Sequence, residues 1–433
     1  MSDLLQHRKR LYHVGNLSIF MIGLGFAVRA NIASNLQEDI YDKIDLVNSA
    51  AMVGEALSAT FMGFALTLLF GSALVDLVGM KRMLLLSALG YIAGAVGLVF
   101  ATTMTIDSSV ETVIWVSLLL TGLGWGAVEA ASNPMVAALY PEEKTHRLNI
   151  LHAWWPAGIV VGGLMGYTIT RVGLPWELNM FVLLLPALAL AWMVSRATFP
   201  VTERVAAGVS YGQMFSELLK RPLFWVFWIC MFFTATAELA PGQWVNIALS
   251  HIVGMQGILL LVYVSALMFV MRHFAGSIVA HISPIGLMFV SCLAAGTGLY
   301  LLSLANTPVL AFGAATVWGV GVCYLWPTML AITSERFPRG GAMALGLMGF
   351  AGGMAIKFVL PQMGAIFDTA KAQAAGGADQ LATLSPQAMQ EVLRYASVES
   401  FQSVAIVPLL LLPVFGLIWL FDRKNGGHQV ESI

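Results

Sequence analysis

A single acid, Glu129, stands in a long apolar stretch, TGLGWGAVEAASNPMVAAL, four residues before the pair Asn133 and Pro134. The stretch ends at a charged turn, YPEEKTHR, and a second apolar stretch opens with Asn149, His152, Trp154 and Trp155. If both lie in lipid, an ionised carboxylate there costs about 2.5–3.5 kcal/mol on insertion scales. It then requires a polar cavity, a partner or a proton. A carboxyl group that must exchange one of these for another is what ion-coupled transport uses.

Other polar residues interrupt apolar runs in the same way. Arg29 and Asn31 lie in GFAVRANIASN, where the arginine either snorkels outward past Gln37 or meets Glu129 or an anionic ligand. Glu238 precedes Pro241 and Gly242, and Gln243, Trp244 and Asn246 follow. A Pro-Gly break inside a spanning helix frees carbonyls and is tolerated where it lines a cavity, so this run is read as cavity lining. The alternative is a helix end with an interfacial tryptophan. Arg272 and His273 sit together in the next run, with Glu238 the natural partner for the arginine, as a structural ion pair or a ligand contact. His273 alone reads equally as a satisfied core histidine. Tyr324 and Trp326 precede Pro327, offering either ring faces to a ligand or plain packing. Lys357 falls in the middle of FAGGMAIKFVLPQMG, too deep to snorkel, among glycines that make a close-packed or bendable helix. Glu55 reads as interfacial.

The elements that must hold these residues follow from composition. The 433 residues are 58% hydrophobic and 10% charged, with a mean hydropathy of +0.81, against about 25% charged for a soluble domain. Twelve runs of spanning length are expected, near 12–34, 50–75, 83–103, 112–139, 149–170, 177–196, 222–250, 256–280, 284–304, 308–334, 340–368 and 401–422. The first is long enough to remain as a spanning helix after Arg8, Lys9 and Arg10, so no cleavable signal is expected. Fifteen of the 22 Lys and Arg residues fall at the termini and in alternate loops, which places both termini in the cytoplasm. The connection 197–221 divides the chain into 1–196 and 222–433, and 369–400 is expected to be an outer loop with a short helix.

A net charge of -1 with no basic block excludes nucleic acid as a partner. Cys230, Cys292 and Cys323 are unpaired in spacing and read as core. Walker, zincin, nucleophile-elbow and metal-binding patterns are missing, so no enzyme, cofactor or metal is expected, and any accumulation must draw on an ion gradient.

GSALVDLVG at 71–79 aligns with GSIVAHISP at 276–284, at corresponding loops of a six-plus-six division. The first copy, with Gly71, Asp76, Gly79, Lys81 and Arg82, resembles the gating loop of the major facilitator superfamily; the second has His281 and Pro284 in place of the acid and glycine. That resemblance implies an all-α membrane protein of twelve transmembrane helices in two pseudo-symmetric six-helix bundles that rock about a central cavity. Within it, EAASNP at 129–134 followed by Arg147, Leu148 and Asn149 resembles the fucose permease group, the fucose/galactose/glucose proton symporters. The resemblance implies Glu129 as a protonation and sugar-contact site and Asn133 and Asn149 as amides of the site. His152 and Trp155 stand where that group often has sugar-binding amides. The group's second acid has no counterpart, since Arg29 and Asn31 occupy its region.

The expectation is therefore proton-coupled uptake of a hexose or sugar derivative by a monomer in the bacterial inner membrane. Glu129 and Arg29 would serve the proton. Asn31, Asn133, Asn149, His152, Glu238, Gln243, Asn246, Arg272, His273 and Lys357 would serve the substrate, with Trp155, Trp244, Tyr324 and Trp326 offering rings. Export of drugs or amphiphilic metabolites and transport of an anionic sugar acid are the alternatives.

Overall fold

The computed structural model describes residues 2–140, 144–201, 205, 210–274, 278 and 281–427. Its regular structure among those residues is helical. Twelve rods cross the molecule: α1 (Ser2–Leu36), α2 (Ser49–Val78), α3 (Met80–Ala101), α4 (Ser108–Leu139), α5 (Lys144–Arg171), α6 (Leu178–Ser195), α7 (Pro222–Val253), α8 (Ile258–Arg272), α9 (Pro284–Leu304), α10 in two pieces (Pro308–Val322, Leu325–Arg336), α11 (Gly341–Ala374) and α12 in two pieces (Pro386–Leu409, Leu412–Lys424). Ten helical stretches among the described residues are long and apolar enough to cross a membrane. The other two rods are α5, whose first turn is polar, and α8, which is apolar but shorter. Such a protein is a multi-pass membrane protein, because only closed hydrogen bonding within each helix satisfies the backbone in lipid.

The boundaries are set by local chemistry. Thr307, Ser283 and Ser385 each cap a helix whose first residue is proline, where a missing N–H costs nothing. Gly79, at φ +86°, makes the one-residue corner between α2 and α3 that a side chain would strain.

The rods form two six-helix bundles, α1–α6 and α7–α12. The most extensive junctions between them are α2 with α11, α5 with α8 and α1 with α7. Advancing each helix by six exchanges the first two pairs, as pseudo-symmetry requires. Along α2 and α11 the backbones touch. A Cβ at Gly54 would lie 2.4 Å from the carbonyl oxygen of Leu360, and one at Gly364 would lie 2.3 Å from that of Ala50. We call the face carrying the chain termini the terminal face and its opposite the distal face.

Three expectations need correction. The proposed outer loop 369–400 is largely helix, because α11 runs to Ala374 and the capped SPQAMQEVLRYA segment continues into the spanning part of α12. α7 does not break at Pro241 and Gly242. The carbonyl of Ala237, four residues before that proline, accepts instead from the Trp318 indole at 3.2 Å, so the helix runs on with its polar group satisfied. The break falls in α10, at Cys323 and Tyr324, just ahead of Pro327. α8 ends at Arg272 rather than near 280. Of the second copy of the loop repeat, residues 276, 277, 279 and 280 lie outside the described residues.

Candidate functional site

α4 brings Glu129 and Asn133 onto one face, one turn apart, where side chains four residues apart meet. Asn133 Nδ2 donates to Glu129 Oε2 at 2.9 Å, and its Oδ1 lies 3.0 Å from His152 Nε2 of α5. An amide oxygen only accepts, so Nε2 carries the hydrogen of this contact. Glu129, Asn133 and His152 are all partly buried. The sequence thus places an acid, an amide and an imidazole in one hydrogen-bonded row across two helices.

The row continues through backbone. Pro156 removes the donor that would meet the His152 carbonyl, and Pro327 does the same for Cys323. Both freed carbonyls accept from one guanidinium: Arg272 Nη1 donates to His152 O at 3.2 Å and Nε to Cys323 O at 3.2 Å. Its Nη2 pairs with Glu238 Oε1 of α7 at 3.3 Å. The other oxygen of Glu238 accepts at 3.0 Å from the N–H of Trp326, an orphan donor at the restart of α10. The guanidinium carbon also stands 5.9 Å from the centre of the Trp155 ring. Glu238 and Arg272 are 6% and 8% exposed, so the pair is dry and its remaining hydrogen bonds are needed to offset desolvation.

Other candidates are placed elsewhere. Lys357 reaches across the bundles to Glu55 at 2.5 Å and to Ser58 at 3.2 Å, while Trp115 Nε1 donates to the same carboxylate at 3.3 Å. Glu55 is therefore half of an inter-bundle pair rather than a plain interfacial residue. Gln243 Nε2 donates to Phe26 O at 3.0 Å, tying α7 to α1. Trp244 is fully buried against Phe367 and offers no ring face to a ligand. Asn31 meets Asn179 inside the first bundle. Tyr324 donates to Met271 O at 3.0 Å and steadies the α10 break. Trp326 packs 6.2 Å from Phe64, and Trp155 packs 5.3 Å from Phe26. His273 is exposed at the end of α8, beside Phe269 and outside the row, because one residue past Arg272 the helix turns its other face outward. The side chains of Asn149 and Asn246 lie outside the described residues.

Arg29 does not snorkel. It is 2% exposed, inside the first bundle, with its guanidinium carbon 5.5 Å from the centre of the Trp125 ring. In the loop motif, Lys81 caps the end of α6 through Ser195 O and Ala197 O at 2.8 and 3.0 Å, Gly71 lies against Met83 and Ala130, and Asp76 and Arg82 stand at the terminal face. A shallow groove of about 280 Å³ between α11 and α12, lined by Thr369, Gln373, Tyr395 and Glu399, is separate from the row. The parts sequence reasoning missed are carbonyls. Prolines at 156 and 327, each four residues after an accepting carbonyl, were the available signal.

Residues 16–357 match the sequence family described as Major Facilitator Superfamily. No curated protein matches the chain by sequence. Among solved structures, a D-xylose-proton symporter is similar at 15% identity and TM-score 0.74, covering 94% of this chain and 98% of its own. The nucleoside transporter NupG is similar at 12% and 0.65, covering 95% and 98%. A bacterial homologue of the human lysosomal transporter Spinster, inward-facing and unoccupied, is similar at 16% and 0.68, covering 98% and 99%. At these identities the likeness is one of fold.

Proposed function

The chain belongs to the Major Facilitator Superfamily, a family of transporters and not of enzymes, and on that premise we propose that it carries a hexose or sugar derivative with a proton. The observation that carries this reading is the row Glu129, Asn133 and His152, which ends one hydrogen bond from Arg272 and Glu238 of the other bundle. Glu129 is the protonation site, with Arg29 one helix away as the fixed positive charge. Asn133 and His152 bond hydroxyl groups, as Asn149, Gln243 and Asn246 do where they reach the path. Trp155 and Trp326 supply flat apolar faces with polar rims. Rocking of the bundles exposes the row to one side and then the other.

The Lys and Arg bias makes the terminal face cytoplasmic, in a bacterial inner membrane, and the linker 197–221 divides the halves of a monomer. Within the superfamily, the EAASNP run and Arg147, Leu148 and Asn149 favour the fucose permease group. The D-xylose-proton symporter among the structural neighbours supports the same direction. A second reading, export of amphiphilic drugs, is favoured by the ring cluster of Phe26, Phe61, Phe64 and Trp125.

Uptake of labelled hexoses into proteoliposomes, with and without an inward pH step, tests the proposal. The pH step should raise uptake, and Glu129→Gln should abolish that gain while counterflow exchange persists. Retention of full pH-driven accumulation by Glu129→Gln removes the proton role. Thermal stabilisation by amphiphilic cations and by no sugar would transfer the protein to the second reading.

A further inference from the structure

Inside the first bundle, α1, α3 and α4 bury a guanidinium, an indole N–H and two hydroxyl groups. The Arg29 guanidinium lies beside the Tyr91 hydroxyl and interacts with it, while Arg29 Nε and Nη2, Trp125 Nε1 and Ser87 Oγ have no hydrogen-bond partner among the described residues. The four side chains are 2%, 0%, 3% and 0% exposed. A Cβ at Gly25 would lie 3.4 Å from both Arg29 Nη1 and Tyr91 Oη, so those two atoms are neighbours at the same spot beside α1. Tyr91 is held there between Gly25 and Gly124, both of which it crowds too closely for a side chain.

The identity of the idle atoms is informative. Nε and Nη2 form one edge of the planar guanidinium, the edge that takes both oxygens of a carboxylate in parallel. Arginine and tryptophan donate only, and tyrosine and serine can donate. A neutral hydroxyl would satisfy one donor and leave a dry, uncompensated cation, which is the expensive arrangement. Glu129, one turn beyond Trp125, has one carboxylate oxygen on Asn133. The rings lead outward from this spot: Trp125 packs on Phe26 at 6.4 Å, and Phe26 on Trp155 at 5.3 Å, beside Arg272.

We infer that Arg29, Tyr91, Trp125 and Ser87 form a subsite for the carboxylate of an acidic sugar, whose ring would lie on the Trp125, Phe26 and Trp155 side. This rests on the sugar reading above and narrows it from neutral hexoses to hexuronates or aldonates.

The test is equilibrium binding to the full-length protein in lipid nanodiscs, read by calorimetry, using D-glucuronate, D-galacturonate and D-gluconate against D-glucose and D-galactose. The acids should bind at least about tenfold more tightly than their neutral counterparts. Arg29→Gln should remove that preference. Trp125→Phe and Tyr91→Phe keep ring shape and each remove one donor, so they report on the subsite even where Arg29→Gln does not fold; each should weaken acid binding alone. Binding of neutral hexoses without the acids overturns the subsite and spares the sugar reading. Acid binding unchanged in all three variants overturns the subsite as well. Binding of neither class removes the sugar reading and this inference together. Loss of pH coupling in Arg29→Gln with no change in acid against neutral preference would assign Arg29 to Glu129 and overturn the substrate role.

Discussion

Arg272 shows how one side chain can settle several unrelated problems. Two kinked helices expose carbonyls at His152 and Cys323, and a buried carboxylate at Glu238 needs a counter-charge. A guanidinium answers all three because its donors lie in a fixed plane and point in different directions. A lysine there would keep the charge and lose the geometry. Removing one member leaves the other charged and dry, so Arg272→Met and Glu238→Leu should each destabilise by about 3–5 kcal/mol. The double variant should cost less than either, and Arg272→Lys should fall between. Denaturant unfolding in mixed micelles measures this cycle, and additive losses would mean the pair is not a unit.

At the scale of elements, Pro241 and Pro327 are instructive as a pair. Each sits in a spanning helix, yet α7 continues and α10 breaks. The difference is what lies opposite. Trp318 donates to the carbonyl that Pro241 releases, so no bend is needed to satisfy it. Near Pro327 the chain instead opens a turn at Tyr324, and Glu238 and Arg272 bond both sides of the gap. Trp318→Phe preserves packing and deletes the donor; it should cost about 1–3 kcal/mol, the price of an unsatisfied buried carbonyl, and bend α7 at Pro241. Amide hydrogen exchange on the segment 238–246 should speed up, and an unchanged exchange pattern would show that the indole bond does not hold the helix.

At the scale of the molecule, the distal half of the bundle junction is shut by contacts along α2 and α11. Besides the backbone approaches at Gly54 and Gly364, Asp368 accepts from Ala51 N at 2.8 Å and Lys371 donates to Leu46 O at 2.9 Å. The Lys357 and Glu55 pair lies on the same seam. Since Gly364 admits no Cβ, Gly364→Val must wedge α11 from α2 at that end. The expected result is greater thiol accessibility of a cysteine introduced on the distal side, and at least about a tenfold loss of transport, as the shut state is disfavoured by about 1.4 kcal/mol or more. Unaltered accessibility would show that this seam does not control the distal path.

Most of the architecture is written locally. Long apolar runs in a chain with few charges must become spanning helices, and lone acids such as Glu129 and Glu238 inside them must find polar company, whatever the rest of the fold does. Arg272 as the mate of Glu238 was legible on that ground, because adjacent helices bring consecutive runs together. What local sequence cannot carry is which distant surface answers each exposed group. Whether Pro241 breaks a helix depends on Trp318, which is 77 residues away; Glu55 reads as interfacial until Lys357 arrives from the other bundle; Arg29 reads as a snorkelling cation until α3 and α4 enclose it. A side chain's type and spacing determine what it must be given, and only packing in three dimensions decides what gives it, because hydrogen bonds and ion pairs act over a few ångströms of space and not along the chain.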